Sequence, residues 1–588
     1  MHIDTIRSPN GKTHHYLRQS FRVGKSVRKR TLARLSDLPQ PALLALKRAL
    51  HNKNAISLES TDDCRILRSL PHGHVLAALH ALRRSGLPAD LHPQPSRNRD
   101  LATALILARL LFPKSKRLTR FLIQHTAHND LATSSLGLLL GLGPVGHNEP
   151  YQTLDWLHQH QADIETRLAR RHLDASSLVL YDVTSSYFEG RRCELATHGY
   201  SRDHRADRPQ IVIGLLASED GCPVGVEVFP GNTSDPKTLT AQVQQVQRRF
   251  GAQRLIWVGD RGMITSARIR HDLRSRPQLD WVSALRAEQI KTLVQNADFQ
   301  PSLFDQHGLA EISSSLFPGE RLVVCKNPRV AAERARKREA LLHTTETLLR
   351  ELHERVTRTT RPLKKAEAIT VAATRILDRR KMRKHFLTDI RQGHFSFQRD
   401  PDSIAREAAL DGFYVIRTSL SAQDLTAERA VLTYKRLGRI EAAFATLKSD
   451  EDLRLRPIRH FRDHRVRAHV FLCMLALYLE WHLRRDLAPL TFYDEDPPGR
   501  DTARPSPVHP AAPSPSAKEK RRTGRSSSGL PLISFQDLLE QLKSVSLNRV
   551  RLNASPPVTF FRCADPSPHA AEAFRLLRIR RSEPHITP

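Results

Sequence analysis

The stretch "LVLYDVTSSYFEG", residues 178–190, opens as a strand covered on both faces and then interrupts itself. Leu178, Val179, Leu180 and Tyr181 form a continuous apolar run, the pattern of a strand buried between two layers. Asp182 follows at once, and Val183 resumes the strand. An Asp near a strand end is commonly a cap or a turn residue. The alternative is a ligand held at the rim of a sheet.

The sequence around this run sets the fold class. "PQIVIGLLAS" (209–218), the turn "EDGC" and "PVGVEVFPG" (223–231) read as two further strands. A helix over 235–250 follows, with Pro236 suited to its first turn. "RLIWVGDRG" (254–262) is then another apolar strand, ending in Asp260. Three strands, a helix and a strand parallel to the first predict an α/β domain with a mixed sheet. Ligands in such sheets collect at the carboxyl ends of the strands, where Asp182 and Asp260 both fall. Taken alone, Asp260 reads as a D-R-G turn.

A third carboxylate strengthens the ligand reading. "YKRLGRIEAAFATLKS" (434–449) has the period of an amphipathic helix, with Leu437, Ile440, Phe444 and Leu447 on its apolar stripe. Tyr434, Glu441 and Lys448 line a neighbouring stripe, and Gly438 and Ala445 leave space beside the carboxylate. Two strands and a helix thus offer three carboxylates, an all-oxygen set suited to Mg²⁺ or Mn²⁺. Two such ions about 4 Å apart serve phosphodiester displacement.

Composition agrees with a polyanionic partner. The chain of 588 residues carries 93 Lys and Arg against 61 Asp and Glu, a formal charge of +32 spread over most of its length. Six cysteines (Cys64, Cys193, Cys222, Cys325, Cys473 and Cys563) are scattered without a C-x-x-C pair, against a disulfide framework or zinc ribbon. The N-terminal residues lack the apolar segment of a signal peptide. "VFLCMLALYLEW" (470–481) is too short to span a bilayer and reads as a buried helix, so no membrane association is expected. "GKT" at 11–13 lacks the first glycine of a phosphate loop, which would fall at Ile6. The histidines, His198, His204 and His464 among them, show no metal-binding spacing.

Seven regions are expected. Residues 1–60 hold a basic β-hairpin around Val23-Gly24-Lys25 and a short helix, and 61–175 form a helical DNA-binding region. Residues 176–270 and 431–492 are two parts of one catalytic core, separated by a mixed β/α insertion at 271–430 with a charged helix around 330–356. Residues 493–529, rich in Pro and Ser, read as a disordered linker, and 530–588 as a helical tail.

The set "LYDVTSSYFEG", "GYSRDHRADRPQIVIGLL", "FPGNTSDPKTL", "WVGDRGM", "GFYVIRTSL" and "YKRLGRIEAAFATLKS" resembles the DDE transposases of bacterial insertion sequences. More narrowly it is similar to the insertion-sequence-4-like branch, which carries a long insertion between its second Asp and its Glu. The resemblance covers about 176–485 and implies an RNase H-like core, with Asp182, Asp260 and Glu441 as the metal-binding catalytic triad. That branch has a Tyr–Arg–Glu–Lys signature, whose members fall here at Tyr434, Leu437, Glu441 and Lys448. Arg436 and Arg439 flank the position where Leu437 replaces the arginine, so Tyr434, Arg436, Arg439 and Lys448 are the expected DNA contacts.

The function so implied is binding of an element's terminal inverted repeats, with hydrolysis and strand transfer using two Mg²⁺ (or Mn²⁺) ions. Double-stranded DNA is the partner, a homodimer the expected assembly, and the bacterial cytoplasm, at the nucleoid, the expected location. Two other readings share the features above: a purely hydrolytic nuclease on the same fold, and a DNA-binding remnant that has lost catalysis.

Overall fold

The structure, a computed structural model, describes residues 1–51, 64–124, 134–173, 176–190, 192–250, 254–276, 278–298, 308–496, 513–552 and 558–580, with Gly499, Ser506 and Val508. It begins with a three-stranded antiparallel sheet, β1 (His2–Arg7), β2 (Thr13–Val23) and β3 (Ser26–Arg34), followed by the helix Gln40–His51. The expected hairpin is β2–β3. Val23 pairs with Ser26, leaving Gly24 and Lys25 as a two-residue turn, and Gly24 takes the positive φ of 61° that such a turn requires. β1 adds a third strand that the sequence reading lacked.

The helical region after it opens on a strand, β4 (Cys64–Pro71), before the helices Gly73–Arg84, Arg97–Leu111 and Glu149–His172. Arg97–Leu111 is buried from Leu101 through Leu110, which explains a stretch that is apolar almost all round.

The centre of the fold is an eight-stranded mixed sheet. Its strands are β5 (Ser176–Tyr187), β6 (Gln210–Ser218), β7 (Pro223–Pro230), β8 (Arg254–Val258), β9 (Leu279–Ala284), β10 (Leu309–Ile312), β11 (Arg321–Lys326) and, after the two-stranded β12 (Phe386–Arg391) and β13 (His394–Arg399), β14 (Phe413–Thr418). The spatial order is β10-β11-β14-β9-β8-β5-β6-β7. β5 runs parallel to β8 and antiparallel to β6, as the connection through the helix Asp235–Phe250 requires.

Alternation along β5 decides where Asp182 points. Val179, Tyr181 and Val183 enter a core with Val212, Leu239, Val243 and Trp257 on one face. Leu180 faces the other way, into the larger core shared with Ile213, Val258 and the helices. Asp182 lies two residues beyond Leu180 and so falls on that second face, at the end of its apolar row. Gly214 lets β6 lie beside the buried Tyr181, because a Cβ there would sit 2.4 Å from the phenol oxygen.

Residues 271–430 divide in two. Strands β9, β10, β11 and β14 extend the central sheet, a placement their apolar runs permit and local sequence does not reveal. Residues 328–408 stand on a core of their own, where the long helix Pro328–Thr357 and the helix Ala366–Arg379 pack Leu342, Leu349, Leu352, Ile369 and Leu377 against Phe386 and Phe395.

The amphipathic helix expected over 434–449 is broken once. Ala427–Lys435 and Leu437–Lys448 are separate helices joined at Arg436, and the second lies along β5. The apolar run at 470–481 belongs to a longer helix, Asp463–Asp486, of 24 residues. By length and hydropathy it could cross a membrane, yet 89% of its apolar window is buried against β7 and the helices Arg97–Leu111 and Glu149–His172.

The C-terminal region also differs from a helical tail. Beyond the helix Phe535–Lys543 it forms β15 (Ser546–Leu552) and β16 (Val558–Cys563), and β15 pairs antiparallel with β4. In the expected linker, the residues from 497 to 512 lie outside the described ones apart from Gly499, Ser506 and Val508, and Pro515–Thr523 is a helix. Lys520 ties that helix back to the carbonyls of Ala488 and Tyr493 and to Glu495.

Burial makes one carboxyl of the core a pH-dependent element. Glu480 is 1% exposed; its Oε1 accepts from Arg484 Nε at 2.7 Å, while Oε2 has no partner among the described residues. Burial raises its pKa from the ordinary 4.5 to about 7. The folded chain therefore holds a proton that the unfolded chain releases, and the associated stability is complete below about pH 4.5 and lost as pH rises through 7. Glu480→Gln is expected to remove this loss. Unfolding free energies followed from pH 4.5 to 8 should diverge between variant and wild type by about 3 kcal/mol, and parallel curves would refute the assignment.

Candidate active site

The three carboxylates singled out in the sequence come to one rim of the central sheet. Asp182 projects from β5, Asp260 follows the neighbouring parallel strand β8, and Glu441 stands on the helix Leu437–Lys448 that lies along β5. Asp260 and Glu441 are exposed and Asp182 is partly buried, so the rim is open to a large partner.

Asp182 registers the others electrostatically. Burial is the main cause raising its pKa to about 7, and the charges of Asp260 and Glu441 push in the same direction. The Val183 N–H, donating to Asp182 Oδ1 at 2.7 Å, and the Arg202 guanidinium oppose the rise. Asp260 is oriented from two sides: the Gly262 N–H donates to Oδ2 at 3.2 Å and the Tyr434 hydroxyl to Oδ1 at 3.3 Å. Burial and the nearby Asp260 hold the Tyr434 phenol protonated well above its ordinary range, which keeps it a donor.

The oxygens of the three carboxylates do not all lie within 4.8 Å of one another. A single ion bound by all three would require that. Two ions about 4 Å apart, with one carboxylate between them, do not. The donor chemistry is hard oxygen throughout, and repulsion within the trio is what a divalent cation would relieve.

Lys448 belongs to this region through a buried network. Its Nζ donates to Thr184 Oγ1 at 2.7 Å and to Asp203 Oδ1 at 2.8 Å, and its side chain is 13% exposed. Asp203, only 4% exposed, also takes Arg456 at 2.8 Å and the Tyr187 N–H at 3.2 Å. Burial lowers the Lys448 pKa, against the opposing pull of Asp203. Arg202, next in the chain, grips Asp235 through one nitrogen at 2.6 and 2.7 Å and donates its N–H to Ser185 at 2.8 Å. Sequence reasoning missed Asp203 and Thr184 as partners of Lys448. The charged run "SRDHRADR" was the available signal, but no spacing linked it to a residue some 245 positions away.

Arg436 and Arg439 lie elsewhere on the same helices. Arg436 pairs with Glu219, and Arg439 binds the Glu219 carbonyl and reaches Asp220 at 3.4 Å, all on the β6–β7 turn. That turn adjoins the start of β5, since Ser218 pairs with Val179, whereas Lys448 meets Thr184 beyond Asp182. Both arginines line a groove of about 1,250 Å³ with Gly438, Ala442, Trp481 and Arg485. None of the three carboxylates lines it. A Cβ added at Gly438 would touch nothing within 4 Å, so the helix flank that faces this groove is open.

One cluster among the described residues brings three potential ligand atoms close together. His172, Cys222 and His482 bring one ligand atom each within 4.8 Å of one another, from two helices and the β6–β7 turn. Their nitrogen and sulfur donors suit softer ions than the carboxylate rim does. The three side chains come from residues far apart in the chain, so spacing could not have found them.

The transposase DDE domain profile matches residues 174–479, a span that begins just before β5 and ends within the helix Asp463–Asp486. No curated protein matches the chain. Among solved structures, the piggyBac transposase synaptic complex with hairpin DNA is similar at 7% identity and a TM-score of 0.29, over 75% of this chain and 71% of that one. The family match covers just over half of the sequence and includes both aspartates and the glutamate, and the chain belongs to the transposase DDE domain family.

Proposed function

We propose that the chain is the transposase of a bacterial insertion sequence of the insertion-sequence-4-like branch, with an RNase H-like core whose Asp182, Asp260 and Glu441 hold two Mg²⁺ or Mn²⁺ ions. The observation that carries this reading is the meeting of three carboxylates from β5, the segment after β8 and the helix along β5, at one open rim of a strongly basic chain. DDE transposases use divalent metal ions, and the oxygen donors fit them. When bound, such ions stabilise the charge that builds on the attacking and leaving oxygens of an in-line phosphodiester displacement.

The protein's own groups orient that chemistry. Tyr434 and the Gly262 N–H fix the Asp260 carboxylate, and the Val183 N–H fixes one oxygen of Asp182. Lys448, Asp203 and Arg456 hold the loop around Arg202 against the strand that carries Asp182. Hydrolysis at an element end frees a 3′-hydroxyl, and its attack on target DNA needs the same in-line arrangement, so one site serves both steps. Arg436 and Arg439 would meet DNA along the groove they line, and Lys448 would exchange Asp203 for a backbone phosphate. Two ends require two sites, hence a homodimer acting on inverted repeats at the nucleoid.

Purified protein with Mg²⁺ and labelled duplexes carrying the element's terminus should nick at the boundary and yield joined products. Glu441→Gln should bind the duplex and lose about a thousandfold in rate. Cleavage without joining would identify a nuclease, and binding without cleavage in either protein a remnant.

A second expectation concerns repulsion. Asp182→Asn removes a charge from a crowded trio, so the metal-free protein should gain about 1 kcal/mol while its stabilisation by Mg²⁺ disappears. Equal Mg²⁺-induced shifts in both proteins would remove Asp182 from the metal site. Lys448→Met leaves Asp203 with Arg456 and the Tyr187 N–H and should cost about 2 kcal/mol. Unchanged duplex affinity in that variant would confine Lys448 to holding the loop.

A further inference from the structure

The first 34 residues hold nine Lys and Arg against a single carboxylate, Asp4. That acid is already engaged, by Arg18 at 3.1 Å and Lys29 at 3.0 Å. β1 pairs with β2 only as far as Arg18, so residues 19–30 continue as a two-stranded ribbon. At about 3.3 Å per residue it projects roughly 20 Å beyond the end of β1. Every residue of this ribbon is exposed, including Phe21, Val23 and Val27.

Its register distributes the charge over both faces. Gln19 stands opposite Arg30 and Phe21 opposite Arg28 on one face, while Ser20 opposes Lys29 and Arg22 opposes Val27 on the other, with Lys25 at the turn. A ribbon kept for packing would bury one face. This one buries neither and carries five cations and no acid.

We propose that the ribbon Gln19–Arg30 is a double-stranded DNA-binding element that enters the major groove. The inference rests on the transposase reading above for the identity of its duplex. The major groove, about 12 Å wide, admits a two-stranded β-ribbon, and its phosphate walls stand on both sides of what enters. Cations on both faces meet both walls. Phe21, with Arg28 and Arg30 on its face, supplies apolar contact of the kind that meets a thymine methyl, and arginines pair with guanine O6 and N7. Phosphate contacts from such an element set affinity and register, and the few base contacts set sequence.

The test uses the full chain and a duplex taken from the DNA flanking its coding sequence. The triple variant Arg22→Ala, Arg28→Ala, Arg30→Ala alters exposed side chains only and should keep its melting midpoint. Its affinity should fall tenfold or more, and its slope of log affinity against log salt should shrink by about 2 to 3, near 0.9 for each phosphate contact removed. Methylation of guanine N7 should interfere with wild-type binding over one tract. That measurement needs no substitution, so it stands even for a variant that folds poorly. An unchanged salt slope in the folded triple variant, or interference confined to the minor-groove N3 of adenine, overturns the proposal and leaves the transposase reading intact. Failure of the wild type to bind any duplex overturns both.

Discussion

Three carboxylates held together against their own repulsion are the constraint that the rest of this fold serves. Like charges at a partly buried position drift apart unless the backbone prevents it. Here β5 and β8 are locked in parallel register, and the helix bearing Glu441 is seated along β5 by Leu437, Ile440, Phe444 and Leu447. The middle of the sheet behind them is covered on both faces. β6 is buried at every residue, and the helix Asp463–Asp486 backs the neighbouring β7 with a nearly continuous apolar surface. Packing of this kind supplies the stability from which an electrostatically unfavourable rim can draw.

How much of this the sequence disclosed depends on the range of the interaction. The apolar runs of β5, β6, β7 and β8 were legible because a strand covered on both faces needs a continuous apolar string, and Asp182 and Asp260 stand out by breaking it. Glu441 was legible because helix period fixes its neighbours. The network around Lys448 was not: Asp203 and Arg456 reach it across loops whose paths no periodicity encodes. Arg436 and Arg439 show the same limit, since adjacency to Leu437 in sequence gave no hint that the β6–β7 turn would hold them.

The long segment between Asp260 and Glu441 illustrates a related point. Its strands are as apolar as those of the core, and they complete the core sheet beside β8. Leu285, Leu293, Phe317, Leu322, Val324 and Val415 pack a core against those added strands, and 328–408 has a further buried set of its own. Whether a strand founds a new sheet or joins an old one is decided by edges left unpaired elsewhere, a property of the assembled fold.

The pairing of β4 with β15 gives the molecule a temporal order. Ser69 and Asn548, bonded at 2.5 Å across the two strands, are 479 positions apart. A nascent chain synthesised at about 5–20 residues per second waits some tens of seconds between making one strand and making its partner. Throughout that interval β4 is without the strand it pairs with in the finished fold. A chain cut short before residue 546 carries the whole carboxylate rim and still lacks this clasp between distant segments.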